Sequence, residues 1–217
     1  MNNSDIISKT ITFVKEQLNN AEGGHDWFHI ERVYKNALLI AKEEVCNLQI
    51  VQLSALLHDI ADSKFHDGDE SVGPKVARRF LESQNVAGEI IDAVINIIEN
   101  ISFKGGNFEK KFSSIELDIV QDADRLDAIG AIGIARAFNY GGFKNRVLYD
   151  PKIAPNTNMS IDEYKKSQAP TINHFYEKLL LLKDKMNTET GKKIAQERHQ
   201  FMEKFLSQFY AEWEGVK

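Results

Sequence analysis

Apolar residues recur three and four positions apart along almost the entire chain, whereas alternating runs bounded by turn residues are nearly absent. That periodicity belongs to helices with one buried face, so the pattern predicts an all-α fold. Ile6, Ile7, Ile11, Val14 and Leu18 trace a first helix that stops near Asn19 and Asn20, ahead of the break at Gly23 and Gly24. A second begins around Asp26; Val33, Ala37, Ile40 and Ala41 form one face, and His29, four residues before Val33, falls on the same inward side. A third covers about residues 48–61, with Leu53, Leu57 and Ala61 apolar and His58-Asp59 near its C-terminal end.

Two more helices are predicted over residues 74–83 and 87–101, the second marked by Ile90, Ile91, Val94, Ile95 and Ile98. The pattern breaks at Lys104-Gly105-Gly106 and resumes as one long helical stretch over residues 114–139, interrupted by the acidic run Asp122-Ala123-Asp124-Arg125-Leu126-Asp127. Residues 141–158, with Gly141-Gly142, two prolines and the cations Lys144, Arg146 and Lys152, read as an ordered loop. Residues 160–214 read as two long amphipathic helices separated near residues 187–191, where Thr188 is a candidate N-cap.

A length of 217 residues suits a single domain with a well-buried core, and four prolines leave little room for disordered linkers. The expectation is one domain over residues 1–217, with a core at about 25–130, a loop at about 141–158 and C-terminal helices at about 160–214. Those helices either complete the core or supply the face of a homodimer. No apolar run approaches the roughly 20 residues that span a bilayer, and one cysteine, Cys46, excludes an internal disulfide and a cysteine-rich zinc site. Both features predict a cytoplasmic protein with no membrane partner. The net charge of −5 argues against a nucleic-acid polymer as ligand, so a phosphate group has to be met locally, for which a divalent cation is economical.

Three of the six histidines, His25, His29 and His58, lie in the first third of the chain beside aspartates. Imidazole together with carboxylate suits a transition metal and leaves room for water or substrate oxygens. An isolated His-Asp pair is most simply a helix terminus with a solvated carboxylate. Here it sits in Leu56-Leu57-His58-Asp59-Ile60, where a buried polar group needs a partner. Adjacent helical residues point about 100° apart, so both can reach one ion only at the edge of a helix.

The strings His29-Ile30-Glu31-Arg32-Val33, Ala55-Leu56-Leu57-His58-Asp59-Ile60 and Asp122-Ala123-Asp124-Arg125-Leu126 resemble the H…HD…D signature of the HD phosphohydrolase superfamily. His25-Asp26-Trp27-Phe28-His29, Asp62-Ser63-Lys64-Phe65 and residues 120–131 narrow the resemblance to the small stand-alone bacterial HD proteins of the YpgQ and YedJ type. The resemblance implies a helical, metal-dependent fold associated with nucleotide hydrolysis. It gives the four ligand positions to His29, His58, Asp59 and Asp124; Asp122 and Asp127 are read as supporting residues or a solvated face in preference to direct ligands. Asp62 takes the place of a carboxylate that orients or deprotonates water, and Lys64 is the best placed cation for phosphate.

Arg125, Arg136, Lys144 and Arg146 are further candidates for gripping phosphate oxygens, each weighed against a solvated surface cation. His25 and Trp27 are candidates for substrate contact or for packing; Trp27 can stack on a base only if exposed. One divalent metal is expected, Mn²⁺ first, with Co²⁺, Fe²⁺, Ni²⁺ and Mg²⁺ as alternatives. The reaction that the resemblance implies converts a nucleoside triphosphate into a monophosphate and pyrophosphate. Rival readings are a nucleoside monophosphate phosphatase, a cyclic-phosphodiesterase, and a nucleotide sensor that binds metal without turnover.

Overall fold

The inward stripe His29, Ile30, Val33, Ala37 and Ile40 is buried along one side of a helix, and elements built on the same principle account for most of the chain. The computed structural model describes residues 3–19, 26–60, 69, 71–101, 112–160, 163 and 166–217. Among these it has nine α-helices, one 3₁₀ segment and no strand. They are α1 (Asn3–Gln17), α2 (Trp27–Ala41), α3 (Leu48–Leu57), α4 (Val72–Ser83), α5 (Gly88–Asn100), α6 (Ile115–Asp127), α7 (Gly130–Phe143), α8 (Asn173–Glu177) and α9 (Glu189–Trp213), with the 3₁₀ segment Leu179–Lys185 between the last two. No helix among the described residues is long and apolar enough to cross a membrane.

The chain divides into two compact units, Met1–Asp124 and Arg125–Lys217. In the first, α3 is buried on nearly every side and packs against α1, α2 and α5, with α4 laid on α5. An apolar core of Ile6, Val14, Ile30, Leu53, Leu56, Leu57, Leu81, Ile91 and Val94 fills the space between them. Polar ties complete it: Asn47 caps α3 by accepting from the backbone N–H groups of Gln49 and Ile50, and its own N–H donates to Glu116. Gln121 donates to the Asn100 carbonyl at 3.0 Å, and Asn36 of α2 donates to the Ala123 carbonyl at 3.3 Å.

In the second unit α9 packs on α7 and on the 3₁₀ segment, around an aromatic cluster in which Phe138, Phe175 and Phe205 meet with centroids 5.8–6.0 Å apart. Thr188 accepts from the Gly191 N–H at 2.9 Å and starts α9 as the sequence pattern predicts.

Four boundaries differ from the sequence expectation, each for a local reason. α3 ends at Leu57, so His58 and Asp59 stand in a turn beyond it rather than inside a helix running to residue 61. The stretch 114–139 is two helices: Ile129 is extended and Gly130 has φ +76°, a left-handed conformation that stops α6 and restarts the chain as α7. α7 then continues through Gly141-Gly142, which composition alone assigns to a loop. Gly141 is there because helix and neighbour come close; a Cβ at that position would overlap Thr171 Oγ1. Finally, the first of the two long C-terminal helices is not continuous: Glu163 and Lys166 are helical, residues 167–170 are not, and the short α8 and the 3₁₀ segment follow. Pro170 lacks an N–H and biases Ala169 away from helical geometry, which breaks the apolar periodicity into pieces.

Candidate metal centre

Asp26 accepts from the His29 N–H at 3.0 Å and fixes the first turn of α2, so that His29 projects inward beneath Ile30 and Val33 with its side chain 3% exposed. His58 arrives from α3. Its Nδ1 lies 3.0 Å from the Ala55 carbonyl, one of the terminal acceptors that the helix itself leaves unsatisfied. A carbonyl can only accept, so Nδ1 carries a proton, and the tautomer this selects is the one whose Nε2 bears the lone pair. That Nε2 is buried and has no hydrogen-bond partner among the described residues.

The two imidazole rings meet edge to face, with centroids 5.4 Å apart. One ligand atom each from His29, His58 and Asp59 can be chosen such that all three lie within 4.8 Å of one another. His58 is the C-cap of α3 and keeps helical dihedrals (φ −62°, ψ −28°), so the two side chains converge at the edge of the helix end rather than inside it. Asp124 enters from α6, with Oδ1 3.5 Å from His29 Nε2 and 4.0 Å from His58 Nε2. Ligand atoms held about 2.1 Å from one ion stand roughly 3 to 4.2 Å apart, depending on the angle between them.

The residues therefore fit a divalent ion. Two imidazoles and the Asp59 carboxylate are a donor set suited to a transition metal, while Asp124, near both imidazoles, lies outside the group whose ligand atoms are all within 4.8 Å of one another; the buried Nε2 of His58 is unpartnered, which costs about 1–3 kcal/mol. The Ala55 carbonyl is a contact that sequence reasoning missed; a backbone acceptor three residues back leaves no mark in residue identity.

The other candidates are distributed as follows. His25, Asp62 and Lys64 lie outside the described residues. Asp122 is fully buried on α6, and Asp127 is buried at its end with Arg136 Nη1 on its carboxylate, so neither faces solvent. Trp27 packs half-buried against the core with the Lys15 ammonium 4.6 Å from its ring centroid, which favours the packing role over stacking. Three of the four candidate phosphate cations hold protein groups: Arg125 donates to the Lys185 carbonyl, Arg136 to Asp127 and Arg146 to the Ser167 carbonyl. Lys144, exposed at the end of α7, lies 5.0 Å from the Phe143 ring centroid. Phe28, exposed one residue before His29, is an aromatic that the sequence pattern does not single out.

Comparison with known proteins gives these side chains a lineage. The profile of the HD domain matches residues 27–129, which include His29, His58, Asp59 and Asp124. Bacillus subtilis YpgQ is 40% identical over 208 residues, covering 94% of this chain and 92% of that protein. The crystal structure of an HD-superfamily hydrolase from Bacillus thuringiensis superposes with a TM-score of 0.81 at 45% identity, covering 99% of this chain and 100% of that one. The structure of B. subtilis YpgQ in complex with ADP superposes with a TM-score of 0.76 at 36% identity, covering 100% of this chain and 99% of that one. With that extent of identity over nearly its whole length, and HD-superfamily hydrolases among its structural relatives, the chain belongs to the HD-domain family.

Proposed function

We propose that this protein is a metal-dependent nucleotide pyrophosphohydrolase that converts a nucleoside triphosphate, ribo or deoxy, into the monophosphate and pyrophosphate. The observation that carries the reading is the convergence of His29, His58 and Asp59, with Asp124 beside both imidazoles and the Nε2 lone pair of His58 unpartnered within it. In this reading His29, His58, Asp59 and Asp124 hold one divalent ion, with Mn²⁺ expected to support activity. When bound, the ion supplies positive charge that lowers the pKa of a water and offsets charge on the phosphate oxygens.

The chain's own groups do the rest. The Ala55 carbonyl holds His58 in one tautomer and one orientation, which is the usual office of the second partner of a ligating imidazole. Asp62 receives a proton from the attacking water, whose oxygen bonds to the α-phosphorus while the α–β bridging oxygen leaves with pyrophosphate. Lys64 neutralises the departing charge. The nucleotide class is supported by the crystallisation of YpgQ with ADP.

The test is incubation of the purified protein with dGTP and MnCl₂, followed by anion-exchange separation of products. dGMP and pyrophosphate in equal amounts are expected. Orthophosphate without pyrophosphate would overturn the assignment of the cleaved bond. A metal-dependent rise in melting temperature with nucleotide but no product would identify a sensor in place of an enzyme.

A further inference from the structure

We infer that Arg136 and Arg198 are positioning residues for the Asp124 carboxylate, acting through the C-terminal turn of α6. The inference rests on the reading of Asp124 as a metal ligand. Among the described residues the Asp124 carboxylate meets only the two imidazoles, and its side chain is 42% exposed. Oδ1 stands where the backbone of α6 carries it, held just before Asp124 by the Asn36 contact on the Ala123 carbonyl and just after it by the last turn of the helix.

That end is unusually well held. Its last turn tightens, with Ala128 N–H on the Arg125 carbonyl at 3.1 Å and Ile129 N–H on the Leu126 carbonyl at 3.3 Å, before the chain reverses at Gly130. Terminal carbonyls lack helical partners and carry the negative end of the helix dipole. Here two guanidinium groups meet them: Arg198 Nη1 donates to the Leu126 carbonyl, and Arg136 Nη1 to the Asp127 carbonyl at 3.2 Å.

Arg136 also pairs with the Asp127 carboxylate, which is 1% exposed, and the Arg198 guanidinium interacts with the same carboxylate. The aliphatic stem of Arg198 lies 3.0–3.3 Å from where a Cβ on Gly130 would stand, so it covers the reversal as well as binding the carbonyl. Arg198 lies 72 residues from Leu126, and the arrangement joins the middle of α7 and the middle of α9 to one turn of α6. A site loosened by even about 1 Å loses much of its function. Two long-range guanidinium contacts on the turn that follows Asp124 therefore do more than close a helix.

The experiment is Co²⁺ and Mn²⁺ titration of the full chain, read by the visible absorption of bound Co²⁺ and by the loss of the free Mn²⁺ paramagnetic resonance signal. Arg198→Met keeps the stem over Gly130 and removes the guanidinium; Arg136→Gln keeps one donor and removes the charge. Phe205→Leu, in the aromatic cluster, serves as a variant that lowers stability without touching the turn. We expect both arginine variants to bind either ion about 10- to 100-fold more weakly, with an altered Co²⁺ band, while Phe205→Leu binds as the wild type does. Arg198→Lys, which restores a cationic donor, should recover most of the affinity. Dissociation constants within twofold of wild type in both arginine variants, or equal weakening in Phe205→Leu, would overturn the inference. A wild-type chain that binds neither ion overturns the metal reading itself, and the inference with it.

Discussion

Replacing Asp124 by Asn changes one charge and almost no volume, and it should move stability in opposite directions with and without metal. In wild type, an ion held at about 100 times its dissociation constant stabilises the folded chain by about 2.7 kcal/mol. For a chain of 217 residues each kcal/mol raises the melting temperature by roughly 2–4 °C, so MnCl₂ should raise it by about 5–11 °C over EDTA. The Asp124→Asn variant offers a neutral amide and forfeits most of that rise. Under EDTA the balance differs, because Oδ1 of Asp124 lies 4.0 Å from the unpartnered Nε2 of His58 and can donate nothing to it. An amide N–H at that position needs an approach of about 1 Å to make a normal hydrogen bond, which contributes about 1 kcal/mol. Asp124→Asn should therefore melt at the same temperature as wild type or up to about 4 °C higher in EDTA, and lower than wild type in MnCl₂. Differential scanning calorimetry in the two buffers reads both. A variant with the full wild-type rise in MnCl₂ would refute the placement of Asp124 among the ligands.

Two further outcomes are expected. His174 is held neutral, its pKa pushed down to about 4, first by burial and then by Lys178 and Arg146. Its contribution to stability is complete above the unfolded value of about 6.5 and is lost as pH falls toward 4, because the unfolded chain then takes up the proton first. Between pH 7 and pH 5 this removes about 2 kcal/mol, so urea midpoints should fall less steeply with pH in His174→Gln than in wild type; parallel slopes would show that the group does not titrate this way. Gly141→Ala gains about 1 kcal/mol of helix propensity but drives a methyl into Thr171 Oγ1, and relieving such overpacking costs about 1–3 kcal/mol. Adding Thr171→Ala, which removes that oxygen, should recover more than the two single changes sum to, and strict additivity in a double-mutant cycle would contradict the close approach.

The helical class was readable from residue order because it depends on short-range spacing, whereas the four candidate ligands were assigned by resemblance to HD proteins. His29 stands on the same face as Val33 and Ala37, and His58-Asp59 follows an apolar run that only a buried helix explains. Relatedness over nearly the whole chain placed those residues in the HD-domain family. Periodicity was less informative about where helices stop. It carried α3 beyond Leu57 into a turn that opens with His58 still at helical dihedrals, and it merged α6 with α7, since apolar spacing continues across Ile129 and Gly130, whose backbone leaves the helix. It likewise extended a helix across Pro170, where a missing N–H ends the regular hydrogen bonding.

What only the tertiary structure decided is which polar groups find partners. Arg136 and Arg146 look alike in sequence as phosphate cations, yet one pairs with buried Asp127 and the other with the Ser167 carbonyl. Arg198 gives no local sign of its place at the Leu126 carbonyl, because the two are 72 residues apart and a backbone oxygen has no identity to read. The same holds for the tautomer of His58, which the Ala55 carbonyl sets. Residue spacing determines which atoms can share a face; whether an atom there is already satisfied depends on the folded neighbours, as the buried, unpartnered Nε2 of His58 shows.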